Sequence, residues 1–135
     1  MRKLIIDVRP EEYTVLRLAP DTPVPGELFT STGLVSVIRT AQELSVVCRS
    51  ADADRLDQVQ RREPSWRLLT VRGPLEFSLT GIMAMLAGTL AAAGVALFAL
   101  SSFDTDHVLV KANDLDRAVT AFREAGHEIH TATEE

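Results

Sequence analysis

Two short stretches of this chain carry groups that could hold a small charged molecule. In Glu76-Phe77-Ser78-Leu79-Thr80-Gly81-Ile82-Met83, a strand leads into a helix through a residue without a side chain. The backbone N–H groups of Gly81 and Ile82 would be orphan donors at that helix start, where the dipole favours an anion. A carboxylate could dock there; an ordinary start capped by Ser78 or Thr80 is the plainer alternative. The second stretch is Ser101-Ser102-Phe103-Asp104-Thr105-Asp106. Asp104 and Asp106 flank one residue, so they could project to one side and receive an ammonium or guanidinium. Ser and Asp are also what a polar hairpin turn selects. Together, an anion site and paired carboxylates suit a zwitterion, the shape of an α-amino acid.

Other candidates carry less. His127 and His130 are spaced as a two-ligand pair, but on a terminal strand those positions face opposite ways, and solvated strand histidines are expected. Cys48 is the single cysteine, so it closes no internal disulfide and points to a reducing compartment, the cytoplasm. Arg49, its only cationic neighbour, points away along a strand, and a small buried hydrophobe is the expectation. Arg39 and Glu43 are expected to pair on the surface. No serine-hydrolase elbow, phosphate-cradling Gly/Lys loop, dinucleotide fingerprint or His-Glu-x-x-His is present. The expectation is no enzyme, no catalytic residue, no metal and no cofactor.

These groups must be positioned by elements that the hydrophobic pattern sets out. Residues 13–18, 34–39, 44–49 and 67–72 read as strands, with a hairpin turn at 40–43 and a proline-rich loop at 20–33 holding one helical turn near Gly26. Residues 52–62 read as a helix ended by Pro64, anchored only by Leu56 and Val59. Thr80 opens a helix to about Ala93, with Ile82, Leu86 and Leu90 on one face and Gly94 at its C-terminal stop. Residues 95–100 read as a strand buried on both faces. After the turn at 101–106 comes a return strand, 107–111. An amphipathic helix over 114–125, a stop at Gly126 and a short last strand, 128–131, complete the pattern. The order β-α-β-β-α-β is ferredoxin-like. The first half looks like a degraded copy of the second, since Glu43-Leu-Ser-Val-Val matches Asp106-His-Val-Leu-Val.

The composition excludes some classes. Net charge is −5 with no basic stripe, so no nucleic-acid partner is expected. Residues 77–103 contain no charge, long enough to span a bilayer, but they are rich in Ala, Gly, Ser and Thr, interrupted by Gly94 and flanked by acids. A buried helix plus strand is expected, and no membrane partner. The two basic residues at the start precede only a short apolar run, so no signal peptide is expected.

Three stretches resemble the ACT-domain proteins, specifically the small bacterial tandem-ACT group related to the CASTOR arginine sensors. They are Ser36-Val-Ile-Arg-Thr-Ala-Gln-Glu-Leu-Ser-Val-Val-Cys, Trp66-Arg-Leu-Leu-Thr-Val-Arg-Gly-Pro-Leu-Glu-Phe-Ser-Leu-Thr-Gly-Ile and Ser101-Ser-Phe-Asp-Thr-Asp. The resemblance covers about residues 13–127. It implies an α+β fold of tandem ferredoxin-like (βαββαβ) ACT units: an abbreviated N-terminal unit over 1–64 and a full one over 65–135. It also implies amino-acid sensing and a homodimer. In such proteins the ligand typically lies between ACT units, near the first strand-to-helix loop. The implied ligand contacts are therefore Ser78, Thr80, Gly81 and Ile82, with Ser101, Ser102, Phe103, Asp104, Thr105 and Asp106 opposite. The animal sensors have four ACT units, so a comparable site here could require a second copy of the chain. The resemblance carries no arginine preference across. Against an amino-acid-binding regulator stands a protein-interaction module, in which the same apolar segment packs a dimer and nothing small binds.

Overall fold

A computed structural model describes residues 3–75 and 81–131 of the 135. The chain divides into two compact units, residues 11–65 and residues 1–10 with 66–135. Two long strands, β1 (Ile5–Leu18) and β4 (Arg61–Val71), each contribute one half to each unit.

In the unit of residues 11–65, β1 pairs antiparallel with β3 (Leu44–Arg49), and β3 with the edge strand β2 (Ser36–Arg39). A bond from Gln60 N–H to Arg17 C=O, at 2.8 Å, ties the start of β4 to the other side of β1. The order β2-β3-β1-β4 is the ferredoxin-like one. The crossover that is a helix in the full unit is here, as expected, a loop with a single 3-10 turn, Gly26–Thr30, because Pro20, Pro23 and Pro25 deny the preceding residues a helical ladder. Alternation buries Leu16, Leu18, Leu44, Val46 and Cys48 on one face, with Leu28, Ala53 and Leu56 covering them.

Two expectations fail in this unit. The helix expected over 52–62 is only α1, Ser50–Ala53. Leu56 is buried but Val59 only partly so, and two anchors do not define an apolar stripe; the chain turns at Gln58, φ 64°, and enters β4 at Arg61. Arg39 does not pair with Glu43. Its guanidinium donates to Thr22 C=O at 2.7 Å, while Glu43 meets Arg17 at 3.4 Å.

The other unit follows the order β4, α2 (Ile82–Ala92), β5 (Leu97–Ser101), β6 (Asp106–Lys111), α3 (Leu115–Glu124) and β7 (Glu128–Thr131). Its strands lie in the order β5-β6-β4-β1-β7. The first half of β1 is wedged between β4 and β7: Ile5 to Val8 run parallel to β7, and Arg72 N–H bonds Ile5 C=O at 2.7 Å. That half strand precedes the alternating run that marked the first strand in the sequence. Leu4, Ile6 and Val8 join Leu69, Val71, Val108 and Val110 under Leu86 and Leu90 of α2 and Ala118 and Phe122 of α3.

Here the sequence misled twice more. Residues 95–100 are not buried on both faces: β5 is the sheet edge, so Leu97, Phe98 and Leu100 are half-buried and Ala99 is exposed. His127 is not solvated. It is 5% exposed, accepts the Leu4 N–H at Nδ1 (3.1 Å) and packs edge-to-face on Phe122. Among the described residues no helix is long and apolar enough to cross a membrane.

Candidate functional site

The start of α2 is set by one residue. Gly81 sits in the left-handed region (φ 84°), where any side chain would be strained, and its C=O accepts the first helical bond from Met85. Among the described residues no side chain caps it, and its first-turn N–H groups point out of the helix without intrahelical partners. The helix is eleven residues without a charge, and no side chain in its first turn competes with that positive end.

Opposite it stands the β5–β6 hairpin. Ser102 N–H closes the turn on Thr105 C=O at 2.9 Å, and Ser101 Oγ donates to Asp106 Oδ1 at 2.7 Å. The tip is fastened to the end of β4 by two bonds, Thr105 Oγ1 to Val71 C=O (2.6 Å) and Leu75 N–H to Asp104 C=O (2.7 Å). Gly73 makes the second possible: a Cβ there would lie 3.0 Å from Asp104 O and 3.3 Å from Thr105 Cβ.

Between helix start and hairpin lies a surface cleft of ≈ 290 Å³. Gly81, Ile82, Ser101, Ser102, Phe103, Asp104, Thr105 and Asp106 line it, and the structure thus brings together both stretches singled out in the sequence. Ser78 and Thr80 lie outside the described residues. Leu75 and Met83 also line the cleft and were missed. The Gly-Pro turn marks Leu75 as the exit from a strand, and Met83 shares the first helical turn with Ile82; neither is polar, so a search for charged groups passes over both. Asp104 is exposed and Asp106 half-buried, and Phe103 stands 80% exposed at the rim.

The remaining candidates form no site. Cys48 is fully buried, and burial, reinforced by Asp52, pushes its thiol up to about 11, so no thiolate is available. His130 is exposed and bonded to Glu128. Among the described residues no cluster of His, Cys, Asp or Glu could hold a metal ion.

Residues 61–124 match the family model of the ACT domain, and residues 11–55 match the model of a second family's N-terminal domain. Protein Atu0741 from Agrobacterium tumefaciens has a similar structure, with TM-score 0.87 and 32% identity over 100% of this chain and 98% of that one. The cytosolic arginine sensor for mTORC1 subunit 1 from Mus musculus is 34% identical over 70 residues, 43% of this chain; the match spans only 21% of the sensor. The ligand-free regulatory subunit of aspartate kinase from Thermus thermophilus has TM-score 0.62 at 13% identity, covering 86% of this chain and 93% of that one, which is a likeness of fold.

Proposed function

The chain is a small ACT-domain protein, and we propose that it is a non-catalytic regulatory module that binds a free amino acid in the cleft between Gly81 and Asp106. The observation that carries this reading is the opposition of charge across that cleft. The first-turn helix N–H groups suit a carboxylate on one side, and Asp104 and Asp106 suit a cation on the other. At ≈ 290 Å³ the cleft is at the small end of ligand sites, of a size for a metabolite rather than a peptide. The similarity to an arginine sensor supports a role in sensing rather than turnover. The cytoplasm is the compartment in which such a sensor would meet its ligand.

We further propose a homodimer. The exposed residues of α2 are Ala84, Gly88, Ala91 and Ala92, an uncharged surface unlike the charged face of α3. Light scattering measures the assembled mass directly.

The test is thermal unfolding against each common amino acid. A ligand at about a hundred times its dissociation constant adds roughly 2.7 kcal/mol, or on the order of 10 °C for a chain of this size. One or a few amino acids should raise the melting temperature, and Asp104→Ala and Asp106→Ala should lose the response. A flat panel would reject amino-acid sensing and favour the interaction module.

A further inference from the structure

His107 stands beside the cleft without lining it. Consecutive strand residues face opposite ways, so it leaves β6 on the side away from Asp106. Its ring is held at both ends. Nδ1 lies 3.0 Å from Thr70 Oγ1 on the paired strand, and Nε2 lies 3.2 Å from Ser102 Oγ in the hairpin tip. With the Ser102 Oγ proton on Thr105 C=O at 3.1 Å, Nε2 is the donor in its bond to Ser102. Nδ1 then takes the Thr70 hydroxyl proton. A second ring proton at Nδ1 requires only that the Thr70 hydroxyl rotate, so the ring can charge without losing either partner.

The neighbouring charges are few. Burial acts most strongly and holds the ring below the usual histidine range; Asp106 opposes that, and Arg9 on β1 adds to it. Thr70 on β4 and Leu100, its partner on β5, carry no charge. Asp7 and Arg72 on the neighbouring strands are engaged with each other. The charge on the cleft that responds to His107 is therefore Asp106.

We propose that His107 is a positioning residue for this cleft: it fixes Ser102 in the hairpin tip, and on gaining a proton it weakens the hold of Asp106 on the cationic end of the ligand. The inference rests on the amino-acid reading above. With the ring neutral, Asp106 acts on the cleft undiminished. With the ring charged, an imidazolium one residue away offsets it. Ligand cation and ring proton then compete, and each lowers the affinity for the other by the same factor. A tenfold loss of affinity corresponds to a fall of one unit in the His107 pKa on binding.

Two measurements test this on the full chain. In the free protein, the His107 ring is titrated by NMR in the parent and in Asp106→Asn. The substitution should lower the His107 pKa; an unchanged value overturns the coupling whether or not any ligand exists. Dissociation constants are then measured between about pH 7.5 and about pH 5, above the range where ordinary carboxylates protonate. The probes are those common amino acids that raise the melting temperature, and the comparison is between the parent and His107→Gln. Affinity should fall several-fold toward acid in the parent, and the ratio should approach one in the variant. Equal ratios in the two proteins overturn this inference alone. No response to any amino acid at either pH overturns the site reading and this inference with it.

Discussion

Gly81 offers a perturbation with a built-in control. It adopts φ 84° at the start of α2, and Gly94 adopts φ 75° just past the end of the same helix. A Cβ at either position would meet nothing within 4 Å, so alanine introduces backbone strain without a clash. The left-handed region costs an L-residue about 1–2 kcal/mol. For a chain of this length that is a melting loss on the order of 3–8 °C, and Gly81→Ala and Gly94→Ala should show it about equally. Their effect on binding should differ. Alanine at position 81 relieves its strain by turning away from the left-handed region, which re-aims the first N–H groups of α2. Binding must then restore the strained form, and 1–2 kcal/mol is a factor of about 5–30 in affinity. Gly94 is not part of the cleft, so its variant should bind as its parent does once the lower melting point is allowed for. Calorimetric titration with the amino acid selected by the thermal panel reads the difference. Equal affinities in the two variants would refute the assignment of the helix start to the site.

Burial holds His127 below its usual range, so the folded state resists the proton that the unfolded chain accepts. Its contribution to stability is complete above about pH 6.5 and is lost as pH falls through the folded value. The urea midpoint should fall over that window, and His127→Gln should flatten the slope without abolishing it, because His107 is also held down by burial. Cys48 should react with a thiol reagent only as fast as the protein unfolds; rapid labelling under native conditions would contradict its burial. Phe122→Ala removes a ring that is 0% exposed between α3 and the sheet, and should cost about 3–5 kcal/mol in equilibrium unfolding.

Where local pattern and tertiary packing agree, the sequence is legible. The residues 44–49 and 128–131 alternate and are strands, and the 3.6-residue pattern beyond Asp114 gives α3. The cleft was legible in the same sense: Gly81 and the Ser/Asp hairpin are local signals, and the β-α-β-β order brings the end of the first strand beside the tip of the hairpin. Errors arose where the deciding contact is remote. Nothing near residues 5–10 says that they lie between β4 and β7, because that place is made by residues more than sixty positions away. His127 is buried for the same reason, since its ring is bonded to the N–H of Leu4, just ahead of β1 and 123 positions away. An apolar run such as 95–100 fixes a strand but not its rank in the sheet, and here it falls at the edge.

The way the cleft is built bears on how binding there could be felt elsewhere. Its two walls differ in how firmly they are held. The hairpin tip is bonded to Val71 C=O and Leu75 N–H and braced by His107 through Ser102, so it moves only with the end of β4. The helix start rests on one left-handed glycine, and no side chain among the described residues caps it. A ligand that bridges the walls would bond the first turn of α2 and tie it to the hairpin and the end of β4, in addition to the core that α2 already shares with β4 and β6. Ile82 and Met83 follow Gly81 directly and pack on the same core as Leu86 and Leu90. The first turn that receives the ligand is thus part of the helix that presents Ala84, Gly88 and Ala91 to solvent. An amino acid held at Gly81 would order the uncharged surface proposed to meet a second copy, and this is how a site without catalytic groups can regulate.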